Sequence, residues 1–186
     1  MKRALLVIDV QNEYFPGGAL PITHPPDSLK RITDAMDGAA ENGIPIVVIQ
    51  HGTDHPEAKS FRKGTPGWRL KGEVEVRKRA AVIEKTMPGS FTGTNLEAWM
   101  KENAVDTLVI CGYMSQMCCE TTARQAVHLG YQVEFLSDAT GTLDFNNEAG
   151  TVKAEELHRA TLVTQQFRFS KVKSVEAWID SLDGTQ

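Results

Sequence analysis

At 186 residues, 41% hydrophobic and 24% charged, the chain is long enough for one domain with a full core and has the balance of an ordinary globular protein. Its net charge of −4 gives no electrostatic reason to expect nucleic acid or an anionic membrane as a partner. Three cysteines, an odd number with no C-x-x-C pair and no clustered histidine, argue against a disulfide framework or a zinc site and fit a reducing cytoplasm.

Lys2 and Arg3 are followed by a short apolar run over residues 4–10 that contains Asp9, which reads as a first strand and not as a signal peptide or membrane span. Residues 28–42 read as a helix stopped by Gly43, and 44–51 as a second strand. Residues 52–78 hold Pro56 and Pro66 and are too long for a connector, so they are expected to form a functional loop. Strand 80–85 follows, then a capping box at Thr94-Asn-Leu-Glu97 opening a helix to Asn103. A β-branched run over 106–112 leads through Gly112 into a helix over 118–129 that Gly130 terminates. Further strands are expected at 132–139 and 161–167, with helices at 147–159 and 175–182. Short apolar runs alternating with amphipathic stretches are the pattern of a parallel sheet covered by helices, here in a single domain over residues 1–186.

Parallel strands gather the side chains at their carboxyl ends along one edge of the sheet. Asp9 closes the first strand, Lys85 the third, and Cys118 follows the fourth. An aspartate inside an apolar run needs a cation, which Lys85 supplies; alone, that pair reads as a structural ion pair. A cysteine at the same edge changes the reading to catalysis. A thiol at a helix start faces free N–H groups and the positive end of the helix dipole, so a lowered pKa is expected for Cys118. Cys111 reads as a packing residue, and Cys118 and Cys119 cannot both face one site. In this scheme Asp9 takes the thiol proton as Cys118 attacks a carbonyl, Lys85 holds Asp9, and the N–H groups of Met114 and Cys118 receive the oxyanion. No metal or other cofactor is required.

Three segments carry a resemblance: residues 9–20 (DVQNEYFPGGAL), residues 85–91 (KTMPGSF) with Thr94 and Leu96, and residues 112–119 (GYMSQMCC) with Thr122, Ala123, Ala126, Gly130 and Tyr131. In this order they resemble the isochorismatase-like cysteine hydrolases, over a stretch running to about Thr140. The resemblance implies a three-layer α/β/α, Rossmann-like fold with a six-stranded parallel sheet and an Asp9, Lys85, Cys118 triad. It places the cysteine six residues after the glycine, which selects Cys118, and a cis peptide at Tyr113–Met114 that orients the Met114 N–H. Nicotinamidases of the family carry a metal-binding Asp-x-His after the second strand; here the segment reads His51-Gly-Thr-Asp54-His55-Pro56, the spacing is wrong, and these are loop or pocket residues. True isochorismate hydrolases cleave a vinyl ether without a cysteine at this position. What remains is similar to metal-free members that cleave amides, including streptothricin hydrolases, whose motif is similar to residues 116–124 (QMCCETTAR).

The expected function is therefore hydrolysis of a small amide or lactam through a thioester. The alternatives are a binding or redox-sensing protein in which Cys118 and Cys119 are oxidised, or a vinyl ether hydrolase. Residues 52–79 hold eight Lys or Arg against four Asp or Glu, with Phe61 and Trp68 interleaved, suited to a planar or anionic ligand, a subunit contact or a solvated face. Phe15, Trp68, Phe91 and Tyr113 are the candidate pocket walls. His128 and His158 read as packing or interface residues. The expected partners are a small-molecule substrate and further copies of the chain, with neither nucleic acid nor membrane.

Overall fold

The computed structural model describes residues 1–183. In chain order the elements are β1 (Arg3–Ile8), α1 (Ser28–Glu41), β2 (Ile46–His51), α2 (Gly72–Glu75), β3 (Ala81–Lys85), α3 (Leu96–Glu102) and β4 (Thr107–Tyr113). There follow α4 (Glu120–His128), β5 (Gln132–Gly141), β6 (Phe145–Asn147), β7 (Gly150–Val152), α5 (Ala154–Thr164), β8 (Lys171–Lys173) and α6 (Val175–Asp183).

Six strands form one parallel sheet in the order β3-β2-β1-β4-β5-β8, with helices on both faces. The central strands carry long apolar runs because both faces are covered. Along β1, Leu5 and Val7 enter one core while Ala4, Leu6 and Ile8 enter the other. The first core is closed by Ile32, Ala35 and Met36 of α1 and Trp178 of α6, and the second by Leu96 and Met100 of α3 and Ala123 and Ala126 of α4. Each buried Leu, Ile or Val contributes about 1.5–3 kcal/mol, so these alternating strands hold the layers together.

Chain order runs from β1 outward to β2 and β3, then returns to β4 on the other side of β1 and continues to β5 and β8. The switch point therefore lies between β1 and β4, where a crevice opens beyond the strand ends. These two strands meet closely at Gly112. Its φ is +117°, and a Cβ there would stand 2.0 Å from the Ile8 carbonyl oxygen, so only glycine fits.

Three expected elements are corrected. Residues 161–167 are helical, because Ala154, His158, Thr161 and Gln165 are buried at helical spacing and carry α5 into a wide π-type turn over Gln165–Phe169. The sixth strand is β8, three residues further on, paired with β5. Residues 147–153 are not the start of that helix, since the antiparallel pair β6–β7 occupies Phe145–Asn147 and Gly150–Val152. The capping box does not close: Thr94 Oγ1 accepts from the Leu96 N–H at 3.2 Å, while Glu97 turns to Lys101 at 2.6 Å.

Candidate active site

The switch point brings Asp9, Lys85 and Cys118 together. Asp9 follows β1 in a left-handed conformation, φ 53°, which an aspartate tolerates, and its N–H is fixed to the Ile49 carbonyl at 2.9 Å. Lys85 ends β3, two strands away, and reaches past the end of β2. Cys118 lies in a π-type turn over Ser115–Cys119 that precedes α4, pinned where the Met114 carbonyl accepts from Met117 and Cys119 N–H groups at 3.1 and 3.3 Å. Lys85 Nζ stands 2.7 Å from Asp9 Oδ2 and 3.2 Å from Cys118 Sγ. Asp9 is 0%, Lys85 2% and Cys118 7% exposed, so the three groups act on one another largely unscreened by water. The Lys85–Asp9 contact is short in distance but not aligned as a hydrogen bond, and among the described residues both Asp9 oxygens lack an aligned donor.

The ionisation of the cluster corrects the expectation of an acidic thiol. Burial pushes the Cys118 thiol up to about 12, the Asp9 charge adds to this, and Lys85 offsets only part. Burial likewise raises the Asp9 carboxyl above its ordinary value, against the pull of Lys85. Burial alone would lower Lys85, but Asp9 and Cys118 together hold it above its usual value. Cys118 is thus held as a thiol, and Lys85 is held as an ammonium beside it and Asp9. Cys119 is fully buried and its thiol is raised well above its ordinary value by that burial, and Cys111 donates weakly to the Leu6 carbonyl at 3.5 Å within the first core.

The four proposed pocket residues separate. Phe15 packs its ring 5.8 Å from Tyr113, but Tyr113 is fully buried and bonds Ser28 Oγ through its hydroxyl at 2.9 Å, so it is a core residue. Trp68 is held by its carbonyl, which accepts from Gln11 and Gln50 at 2.7 and 3.0 Å, while its indole N–H is buried without a partner among the described residues. Phe91 stacks on Tyr131, 6.1 Å away, just before β5 at the amino edge of the sheet, and so stands apart from the triad. Met114 opens the cysteine turn, where the Tyr113–Met114 peptide is cis.

Two arrangements went unread in the sequence. His51, taken as a loop or pocket residue, ends β2 directly opposite Lys85 in register and places Nδ1 3.3 Å from Lys85 Nζ. Burial, then the Lys85 charge, lowers it to about 4, so a neutral imidazole accepts from the ammonium. Gln11 clamps this strand end: Oε1 accepts from the His51 N–H at 2.9 Å and Nε2 donates to the His51 carbonyl at 2.9 Å. Their common signal was position, since both stand at or just past strand ends beside Asp9 and Lys85. Ser115 and His158, buried, share a 2.7 Å hydrogen bond that ties the cysteine turn to α5.

Among the described residues, no three His, Cys, Asp or Glu side chains lie together as metal ligands. Asp54 faces Lys63 at 3.7 Å and His55 Nδ1 accepts from Glu57 N–H at 3.3 Å, so neither joins His51 in a ligand set. The residues present do not fit the metal of nicotinamidase-type sites. Nor is any helix among the described residues long and apolar enough to cross a membrane.

Comparison with known proteins places this architecture. A crystal structure of a candidate isochorismatase from Burkholderia xenovorans LB400 superposes with a TM-score of 0.95 and 43% identity, covering 98% of this chain and 88% of the other. Nicotinamidase 3 of Arabidopsis thaliana is 32% identical over 90% of this chain and 82% of its own. Streptothricin hydrolase of Streptomyces noursei is 35% identical over 76% of this chain and 50% of its own. Residues 3–170 match the family model described as Isochorismatase domain. The match takes in every element that builds the crevice, and the chain accordingly belongs to the isochorismatase family.

Proposed function

We propose that the protein hydrolyses a small amide or lactam through a thioester on Cys118. The observation that carries this reading is the buried approach of Lys85 Nζ to both Asp9 and Cys118. The names of the nicotinamidase and streptothricin hydrolase relatives support an amide-type bond.

A thiol raised to about 12 is protonated at neutral pH and needs a base as it attacks. Asp9 takes the proton while Sγ bonds the carbonyl carbon and the carbonyl π pair moves onto oxygen. The Met114 and Cys118 N–H groups receive that oxyanion. Its collapse breaks the C–N bond, and the proton on Asp9 passes to the leaving nitrogen. Water then attacks the thioester and gives a proton to Asp9, which returns it to the departing sulfur. Lys85 stays charged throughout, compensating the negative charge that moves between Asp9, sulfur and oxyanion. Trp68 and Phe15 are the aromatic walls we assign to the substrate.

Ammonia or amine release from a panel of small amides and lactams tests this reading. Turnover that falls by about 10²–10⁴-fold in a folded Asp9→Asn protein is expected. Unchanged turnover in that variant removes Asp9 as the base, and a vinyl ether cleaved with no amide turned over assigns the site a different chemistry.

A further inference from the structure

A cavity opens off the segment that follows Asp9. It measures about 430 Å³ and opens between residues 12–18, which leave the Asp9 strand end, and residues 58–67 of the long loop. Asp9, Lys85 and Cys118 do not line it, but Phe15 does.

Its charge is unusual for a chain of net charge −4. Lys59, Arg62 and Lys71 all line the cavity, and among the described residues none has a carboxylate within ion-pair reach. Two other cations of the same loop are neutralised, Lys63 by Glu84 at 2.7 Å and Asp54 at 3.7 Å and Arg77 by Asp37 at 2.8 Å, whereas Arg69, Lys78 and Arg79 do not line the cavity. Among the described residues, the only carboxylate in the wall is Glu13. It is already engaged, accepting from Ala19 and Phe61 N–H groups at 2.9 and 3.2 Å, and it is buried. Three cations thus face a concavity whose internal counter-charge is committed to backbone donors. Lys71 Nζ also stands 4.8 Å over the Phe15 ring, giving the cavity an aromatic side next to a cation.

We propose that this cavity recognises the carboxylate of a small organic acid, and that, given the amidohydrolase reading above, the substrate is an amide that also carries a carboxylate. Lys71 and Arg62 bind the anion, and Phe15 packs against its apolar body. An anion in a partly enclosed, cationic cavity is held by charge-assisted hydrogen bonds that bulk water weakens less than on an open surface.

The test is calorimetric binding of benzoate, succinate and neutral benzamide at fixed ionic strength, to the wild-type protein and to Cys118→Ala, Arg62→Gln and Lys71→Gln. A carboxylate is expected to bind wild type and Cys118→Ala alike, more tightly than benzamide. Affinity is expected to fall roughly tenfold in Arg62→Gln or Lys71→Gln, with melting temperatures retained. Failure of both carboxylates to bind, or equal binding by all variants, overturns the proposal. Because binding needs no turnover, a protein that binds benzoate but releases ammonia from no amide contradicts the hydrolytic reading and leaves the anion site standing.

Discussion

A lysine ammonium has three hydrogens, and in this crevice Lys85 faces three acceptors: Asp9 Oδ2 at 2.7 Å, Cys118 Sγ at 3.2 Å and His51 Nδ1 at 3.3 Å. His51 serves only while neutral. Its folded pKa is depressed to about 4 from 6.5, so as pH falls the unfolded chain takes up this proton first. The stability that neutral His51 contributes is complete above about pH 6.5 and is lost as pH falls toward 4. His51→Gln keeps an acceptor for Lys85 but does not titrate. Urea denaturation from pH 7 to 4 is expected to show a shallower loss of stability in His51→Gln than in wild type; equal slopes contradict the assignment. At this scale the sequence disclosed the residue types with unambiguous chemistry, Asp9, Lys85 and Cys118. His51 was hidden because its role depends on strand register, and the thiol's raised pKa was hidden because burial outweighs the favourable lysine.

Elements decide whether these side chains meet. Gly112 lets β4 lie against β1 at the point where the chain leaves for the cysteine turn, and a side chain there would meet the Ile8 backbone. Gly112→Ala combines a disfavoured φ with a backbone clash and is expected to cost about 3 kcal/mol or more by denaturant unfolding. A cost within about 0.5 kcal/mol, the range of an ordinary surface change, means that the two strands do not depend on this contact. The long apolar strands were legible because burial on both faces leaves a run such as residues 4–8 with no polar break. Residues 161–167 misled because a short apolar run is equally a helix face, and the buried spacing from Ala154 to Gln165 resolves it only when read across the whole segment. β8, at three residues, is too short to carry a pattern at all.

On the scale of the whole molecule, the sheet's order places the aspartate and cysteine just beyond the ends of the two strands flanking the switch point and brings the lysine from the far end of one half. The opposite edge has its own buried charge, Glu134, paired with Arg3 at 2.8 Å and Lys173 at 3.0 Å and bonded by Trp178 Nε1 at 3.1 Å. That cluster is neutralised on every side and ties β1, β5, β8 and α6 together. The Asp9 cluster differs in keeping a protonated thiol, the nucleophile we propose, beside the carboxyl we propose as its base. The most direct measurement is the intact mass of rapidly quenched enzyme during turnover of an amide it cleaves, with the modified peptide sequenced. An added mass equal to the acyl half of the substrate on Cys118, absent from Asp9→Asn, is the predicted result. An active enzyme that carries the adduct on Cys119, or a Cys118→Ala protein that still turns over, contradicts it.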